Sequence, residues 1–352
     1  MRLHVFNPEH DFALASNLAN FTAPHAGRQL RADLGFLPAL WAAEGDAILV
    51  DYAEQAMKAW KRLAVRHSLG WSKSFTWIEK GSPVGPVTAV DVWGWDRALK
   101  SMLLRRGVSE SVLPSDDRLE DIRQLSHRRT AARLLPLLQG EGTVGEAFEC
   151  TSPEEAGELL AGYGRVVMKA PWSSSGRGLR FLSADRTPFC TQAGWFRNLV
   201  ASQGSVMVEP YYDKVKDFGM EFEATDEGIH YLGLSLFHTV NGAYVGNILA
   251  TEKQKRDCIS RYISTELIDA IQEKISNLLD LGAYRGPFGI DMMVVSGEQG
   301  FRLHPCVEIN LRRTMGHVAL VLSPSDDDIR KVMRIVYDGC RYRLRILKNS
   351  HT

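Results

Sequence analysis

The stretch with the clearest chemical content is residues 288–312, FGIDMMVVSGEQGFRLHPCVEINLR. Alternating apolar residues on either side of a Ser-Gly-Glu-Gln-Gly turn predict two strands of a hairpin. Because strand side chains alternate between faces, Glu308 and Asn310 share a face, and the register brings Asp291 within about one or two residues of Glu308. Two carboxylates and an amide oxygen suit Mg²⁺, which takes one or two carboxylates plus substrate phosphates. The alternative is a solvated hairpin face with unrelated charges.

Composition limits the class of protein. A chain of 352 residues exceeds the roughly 250–300 at which single cores stop growing, so two or three packed units are expected. The formal net charge is zero, which argues against nucleic acid or an anionic membrane as a partner. The five scattered cysteines lack CxxC spacing, which favours reduced thiols in the cytoplasm. No apolar run reaches the ~18 residues of a membrane span, and the N-terminus lacks the apolar core of a signal peptide.

Strands alternate with helical patterns over roughly the first 115 residues, which predicts an α/β unit with a hinge at residues 113–117. Helices are predicted at residues 27–43, 119–138, 265–281 and 326–337, and strands dominate from residue 205 to residue 237. A helix beginning after Thr151 or Ser152 is predicted by the Ser-Pro-Glu-Glu sequence that supplies a cap, a proline and early acids.

A second candidate site is the small-residue loop after the strand that ends at Lys169. Backbone N–H groups of such a loop can converge on phosphate oxygens, and Lys169 adds a point charge upstream. The loop residues are Ser173, Ser174, Ser175, Gly176 and Gly178. No Walker A or G-x-G-x-x-G pattern is present, and a mobile hairpin is the alternative.

A third candidate is the apolar strand that ends at Glu209, Pro210 and Tyr211. A strand interrupted at proline leaves backbone groups that can read an adenine edge, and a tyrosine can flank the ring.

In this order, the three segments resemble the ATP-grasp superfamily. The matching motifs are VVMKAPWSSSGRGL, VMVEPYY, GMEFEA and GPFGIDMMV…VEINLR, and the resemblance covers roughly residues 119–337. It implies an α/β fold in which an N-terminal α/β domain is followed by two α+β subdomains. ATP would be held between these two subdomains. The implied boundaries are 1–115 for the N-terminal domain with substrate contacts, 116–204 for the small subdomain, and 205–352 for the large one.

The resemblance also implies roles. Lys169 would contact the α- and β-phosphates, the serine-rich loop would cover the β- and γ-phosphates, and Glu209 through Tyr211 would hold adenine. Asp291, Glu308 and Asn310 would hold Mg²⁺ or Mn²⁺, and Arg312 would face the reacting group. Asp213 and Asp217 are both candidates for the ribose hydroxyls.

Two departures from the family pattern stand out. The lysine that usually begins the second unit is replaced by arginine in Ser126-His127-Arg128-Arg129-Thr130, so Arg128 or Arg129 takes its role. The segment from residue 7 to residue 14, NPEHDFAL, matches no substrate motif. Within it, His10 is either a substrate contact or an exposed turn residue.

The resemblance implies an ATP- and Mg²⁺-dependent ligase that activates a small carboxylate as an acyl phosphate for attack by an amine. An ATP-grasp phosphotransferase without ligation, or a nucleotide-binding protein without catalysis, are the alternatives. A homodimer stays open.

Overall fold

The computed structural model describes residues 1–67, 69, 73–173, 178–187, 189–240, 243–298 and 300–348. In these ranges the helices are α1 (His10–Ser16), α2 (His25–Leu34), α3 (Ala53–His67), α4 (Arg97–Arg105), α5 (Asp116–Leu125), α6 (Arg129–Leu138), α7 (Pro153–Tyr163), α8 (Ala193–Gln203), α9 (Glu252–Ile259), α10 (Thr265–Leu278) and α11 (Met315–Leu322). Short 3-10 turns lie at Leu37–Leu40, Glu110–Val112 and Phe189–Thr191.

The strands in the same ranges form four sheets of four strands each. They are β1 (Arg2–Val5), β2 (Ala47–Val50), β3 (Thr76–Glu79), β4 (Ala89–Val92), β5 (Phe148–Cys150), β6 (Arg165–Lys169), β7 (Leu179–Ser183), β8 (Val206–Pro210), β9 (Lys214–Thr225), β10 (Gly228–Ser235), β11 (Phe237–Val240), β12 (Ala243–Leu249), β13 (Gly286–Gly297), β14 (Gly300–Asn310), β15 (Lys331–Tyr337) and β16 (Tyr342–Lys348).

The first sheet has the order β3-β2-β1-β4 and is parallel throughout. Parallel strands need crossover connections, and helices such as α3 supply them. Asp96 caps α4, because its side chain accepts a hydrogen bond from the Leu99 N–H at 2.8 Å. All four strands point their carboxyl ends to one edge, which is where the N-terminal unit presents its loops.

The second sheet, β5-β8-β6-β7, is antiparallel and carries Lys169 and Glu209 on neighbouring strands. Helix α7 covers it and begins with a capping box between Ser152 and Glu155, which confirms Ser152 as the cap. Because β8 pairs with β5 and β6, it stays with this sheet, although the predicted boundary at residue 205 separates them. We therefore propose that this unit ends after Pro210.

The third sheet, β10-β9-β13-β14, is the centre of the largest core. Its inner face packs against α6 and α10, and Ile268, Ile271 and Ile275 form the buried stripe of α10. The fourth sheet, β11-β12-β15-β16, packs against the N-terminal unit, with Met333 in the same apolar cluster as Leu34. The expected α/β class with antiparallel sheets is confirmed.

Three predicted helices differ from the structure. Residues 326–337 were expected to be helical, but residues 331–337 form β15, because pairing with β12 and β16 outweighs the local pattern. The expected helix 119–138 is interrupted between α5 and α6, where the Ser126 N–H closes α5 on Ile122 and the His127 ring accepts from the Arg129 N–H. The expected helix 27–43 ends at Leu34.

Two further findings concern the whole chain. All five cysteines are free, as expected. In the described ranges, no helix has both the length and the apolar character that crossing a bilayer requires.

The stacked pair of Phe222 and Phe288, with ring centroids 5.2 Å apart, should be essential to the large core. Both rings are fully buried, so Phe288→Ala should cost about 3–5 kcal/mol of unfolding free energy, measured by urea denaturation. Phe301→Ala, on the same hairpin but 44% exposed, is the matched control and should cost less than about 1 kcal/mol. Equal losses in both variants would contradict this assignment of the core.

Candidate active site

The β13–β14 hairpin places the predicted metal residues on one face. Asp291 lies directly opposite Glu308, and Gly289 lies opposite Asn310, so the predicted register is confirmed. The register shifts between Asp291 and Met293, which is a bulge of the kind that re-aims side chains. The two carboxylates are therefore neighbours because of strand pairing rather than a chance surface arrangement.

Asp291 is electrostatically strained. Burial, together with the Glu308 and Glu221 carboxylates, raises the pKa of Asp291 to about 8, and Arg312 offsets this only in part. A carboxylate in this position gains from a proton or a cation nearby.

The donor set fits Mg²⁺ in company with a phosphate-bearing ligand. Among the described residues, no three His, Cys, Asp or Glu side chains gather into a metal-binding group. Asp291, Glu308 and the Asn310 amide would thus supply only part of a coordination sphere, and other oxygens would have to complete it. Mg²⁺ typically binds in this way, through one or two carboxylates, waters and substrate phosphates.

Arg128 lies between the start of the serine-rich loop, at Ser173, and β14, the strand that carries Glu308. Its Nη2 is 2.9 Å from Glu308 Oε1 and 3.4 Å from Ser173 Oγ, and its Nε donates to the Ala170 carbonyl at 3.1 Å. Arg129 points elsewhere and pairs with Glu149 at 3.3 Å. The geometry therefore favours Arg128 over Arg129 as the replacement for the usual lysine. One oxygen of Glu308, a predicted metal residue, therefore meets a guanidinium.

The predicted phosphate loop is described only at its two ends. The Ala170 N–H donates to the Gly178 carbonyl at 2.8 Å, which closes the base of the loop. A Cβ on Gly178 would lie 2.6 Å from Ser173, so only glycine fits there. The predicted contacts of Ser174, Ser175 and Gly176 lie outside the described residues.

Lys169 and Glu209 contact each other across β6 and β8, with Nζ and Oε2 2.6 Å apart, and both side chains are buried. The resemblance implied separate roles for the two residues: Lys169 would contact phosphate, and Glu209 would hold adenine. The backbone of Tyr211 also differs from expectation, because its N–H donates to the Arg165 carbonyl at 3.0 Å, and Pro210 has no N–H. The free hydrogen-bonding groups of the predicted adenine hinge are therefore fewer than the sequence suggested.

The two ribose candidates are separated by the structure. Asp213 is exposed and 3.7 Å from the Arg165 guanidinium. Asp217 is mostly buried, accepts from Lys214 at 2.6 Å and from the Thr239 hydroxyl, and adds to the charge that raises the pKa of Asp291. Asp217 thus belongs to the same group of interacting carboxylates as Asp291 on β13.

Arg312 is held by a residue that sequence reasoning did not single out. Its guanidinium binds both carboxylate oxygens of Asp11 at 2.8 Å and the Asn310 side-chain oxygen at 2.9 Å. Burial alone would raise the pKa of Asp11, but Arg312 holds it below its usual range. Asp11 lies in the segment of residues 7–14, which matches no substrate motif. Because this segment follows the first strand, where α/β folds place ligand loops, its acid is the signal by which the sequence could have indicated a role for Asp11.

His10 occupies neither of its expected positions. Its ring is buried, with Nδ1 3.2 Å from Asp96 Oδ2, and it packs so closely that a Cβ on Gly94 would lie 2.6 Å from it. His10 therefore fixes the start of α1 against α4, which orients Asp11 toward Arg312.

A cavity of about 270 Å³, here called the metal-strand cavity, joins these groups. Asp11, Arg312, Asp291, Glu308 and Asn310 line it. Glu221 on β9, in register with Gly289, lines it too, accepts from Thr314 Oγ1 at 2.8 Å and lies 3.0 Å from His317 Nδ1. A Cβ on Gly316 would lie 1.8 Å from the Glu221 carboxylate, so this acid depends on a glycine opposite it.

His304 is a second residue that the motif analysis missed. It lies on the same face of β14 as Glu308, since the two are four residues apart, and it is completely buried. Neither ring nitrogen has a hydrogen-bond partner in the described part of the chain. Burial lowers the pKa of His304 to about 4, so the ring is neutral at pH 7.

Comparisons with known proteins come from structure alone: no family model and no curated protein matches the chain. The N5-carboxyaminoimidazole synthetase of Staphylococcus aureus, complexed with ADP, is 11% identical over 92% of this chain and 86% of that one, with a TM-score of 0.49. A RimK domain ATP-grasp protein of Sphaerobacter thermophilus is 18% identical over 80% and 98%, with a TM-score of 0.41. The biotin carboxylase domain of Hydrogenobacter thermophilus 2-oxoglutarate carboxylase is 13% identical over 82% and 74%, with a TM-score of 0.48.

The sheets give an α/β architecture with one parallel and several antiparallel sheets, and the ATP-grasp resemblance that the motifs indicate stays a prediction. The order of elements is an N-terminal parallel sheet, an antiparallel sheet that carries Lys169, and an antiparallel sheet that carries Asp291 and Glu308. At these identities and TM-scores, the likenesses transfer no activity or substrate to this chain.

Asp291→Asn should stabilise the protein when no cation is bound. The folded state keeps the Asp291 proton up to about pH 8, whereas the unfolded chain loses it near pH 4, so wild-type stability falls as pH rises through that window. The variant has no such proton, and its advantage should widen from about pH 4 to pH 8, reaching on the order of 1–2 kcal/mol and a few degrees of melting temperature. Thermal melts in a chelator across this range measure it. Asp257→Asn, at an exposed carboxylate, is the control; parallel curves for both variants would refute the assignment.

Asp11→Ala should destabilise the protein by about 3 kcal/mol, because it leaves the Arg312 guanidinium buried without its partner. Asp226→Ala removes the partner of Arg285 in an ion pair of 2.7 Å whose two side chains are both exposed, and should cost less than about 1 kcal/mol. Urea denaturation compares the two. Similar small losses would mean that the Asp11–Arg312 pair does not hold the N-terminal segment to the metal strand.

Proposed function

We propose that this protein is an ATP- and Mg²⁺-dependent ligase that activates a small carboxylate as an acyl phosphate, which an amine or similar nucleophile then attacks. The observation that carries the proposal is the metal-strand cavity, where Asp291, Glu308 and Asn310 face a guanidinium held by Asp11. Acidic metal donors beside a fixed cation are what phosphoryl transfer from ATP to a carboxylate needs from a protein.

The nucleotide would lie between the sheet that carries Lys169 and the sheet that carries Asp291. Lys169 would release Glu209 in part to meet a phosphate, and Arg128 would supply a second cation where the loop begins at Ser173. Asp217 is the acid proposed for the ribose. When bound, Mg²⁺ would neutralise phosphate charge and align the transferred group.

The acid substrate would enter the metal-strand cavity, whose volume of about 270 Å³ limits its reacting end to a small group. Arg312 is already oriented by Asp11 and Asn310, so it can meet a carboxylate without reordering its side chain. Glu221, on the neighbouring strand β9, would lie near the incoming nucleophile, where a buried carboxylate can accept a hydrogen bond from an amine. A cytoplasmic location and a homodimer stay predictions from the sequence.

A phosphotransferase that makes no new amide is the second candidate. ADP release measured with pools of amino acids and small carboxylic acids, followed by mass spectrometry, separates the two. A ligase should need both an acid and an amine and should give a product lighter than their sum by one water. A phosphotransferase should release ADP with one acceptor, which gains a phosphoryl group. ATP binding without ADP release in any pool would indicate a nucleotide-binding protein and contradict both.

Lys169→Ala should weaken ATP binding about tenfold or more, because one charge-assisted phosphate contact is worth ~1.5–3 kcal/mol. Isothermal titration calorimetry measures the affinity. The double variant Lys169→Ala/Glu209→Gln should show the same loss, which excludes an effect of leaving Glu209 buried without a partner. Lys61→Ala, at an exposed residue of α3, is the control. An unchanged affinity would remove Lys169 from the site.

Glu308→Gln should lower ATP turnover about a hundredfold or more, because it keeps size and hydrogen bonding but removes charge that would offset the metal. The amide oxygen can still accept from Arg128, so unfolding free energy should change by less than about 1 kcal/mol. Coupled-enzyme assays of ADP release and urea denaturation measure both. Glu298→Gln, at an exposed position of the same hairpin, should leave turnover intact. Full Mg²⁺-dependent turnover by Glu308→Gln would refute the metal assignment.

A further inference from the structure

The N-terminal unit contains a second and larger cavity, of about 850 Å³, here called the N-terminal cavity. It opens at the carboxyl ends of β1, β2 and β3, where open α/β sheets bind ligands. Its volume lies within the range of small-molecule pockets, roughly 300–1,000 Å³. The two cavities adjoin at Phe6, which lines both, whereas Glu9 lines only the larger and Asp11 only the smaller.

The walls of the N-terminal cavity are largely apolar. One face of α4 contributes Leu99 and Met102, and Phe21 and Leu49 lie on other sides. Leu99 and Met102 are three residues apart and so share a helix face. These walls suit the apolar body of an organic ligand.

The rim of the cavity is basic. Arg28, Lys80 and Arg105 are exposed side chains at its edge. The deeper cations are already engaged, since Arg31 pairs with Glu9 and Asp51, while the Arg106 Nη2 donates to the Glu79 and Ser82 carbonyls at 2.7 and 2.6 Å. Lys80 also pairs with Asp51 at 3.1 Å, so the rim cations without an acidic partner in the described ranges are Arg28 and Arg105, where an acidic group of a ligand would meet them.

Glu9 supplies an unsatisfied polar atom at the wall. Its Oε1 is bound by Arg31, whereas its Oε2 is buried and has no hydrogen-bond partner among the described residues. Burial raises the pKa of Glu9 even though Arg31 opposes this. Because buried polar atoms are almost always hydrogen-bonded, the unpaired oxygen indicates the place of a ligand donor.

We propose that the N-terminal cavity binds a small organic acid that has an apolar body and a hydroxyl or amine donor. The acidic group meets Arg28 and Arg105 at the rim, the body packs on Met102 and its neighbours, and the donor reaches Glu9. This site is separate from the proposed nucleotide and metal site, so neither proposal depends on the other.

Three probes of one shape test the proposal by isothermal titration calorimetry on the full chain. They are 3-(4-hydroxyphenyl)propionate, 3-phenylpropionate, which lacks the donor, and tyramine, which replaces the acid by an ammonium group. The first should bind most tightly, the second about five- to tenfold more weakly for the loss of one hydrogen bond, and tyramine most weakly. Saturating MgATP should not displace the first probe. A preference for tyramine, displacement by MgATP, or no binding of any probe would overturn the proposal.

Variants locate the binding. Met102→Trp should fill the cavity and abolish binding of the hydroxylated acid while leaving ATP affinity unchanged, and Arg62→Ala, at an exposed residue of α3, should change neither. Glu9→Leu should reduce the preference for the hydroxylated over the plain acid to about one. Should Glu9→Leu fail to fold, Met102→Trp still decides: undiminished probe binding in that variant would refute the site.

Discussion

The antiparallel pairing of β13 with β14 and β9 is the constraint on which the rest of the site depends. It brings the Asp291 carboxylate beside that of Glu308, and Glu221 on β9 is close enough to raise the pKa of Asp291. Burial makes the negative charge on Asp291 less favourable still. Like charges in a low-dielectric environment must be compensated, and the two compensating cations are Arg312 and Arg128. The guanidinium positions therefore follow from the carboxylate positions.

The compensation extends into the N-terminal unit. Arg312 binds Asp11 at the start of α1, and the next residue, Arg313, pairs with Asp91 at 3.0 Å and donates its backbone N–H to Trp93 at 2.8 Å. Two consecutive residues just after β14 thus contact helix α1 and the end of strand β4 in the N-terminal unit. This arrangement fixes the metal-strand cavity between units that are more than 200 residues apart in sequence.

Some of the buried polar atoms that lack partners in the described ranges lie near the two cavities, and others, such as Trp60 Nε1 and Arg97 Nε, lie elsewhere. Both ring nitrogens of His304 lie on the strand that carries Glu308, and the unpaired oxygen of Glu9 lies at the N-terminal cavity. Each such atom costs free energy in the unliganded fold, since its hydrogen bonds to water are lost and not replaced. The unpaired oxygen of Glu9 and the raised pKa of Asp291 are two such unfavourable terms that a ligand or a cation could relieve.

The sequence by itself determined the features that depend on neighbouring residues. Alternation along residues 288–312 identified the hairpin and the shared face of Asp291 and Glu308, and the Ser-Pro-Glu-Glu sequence identified the start of α7. Only the tertiary structure decided which distant side chains meet. The pairing of Asp11 with Arg312 spans 301 positions, the pairing of Lys169 with Glu209 depends on two strands becoming neighbours, and β15 becomes a strand because β12 and β16 flank it. Such contacts arise from packing and charge compensation between units, and local periodicity carries no record of them.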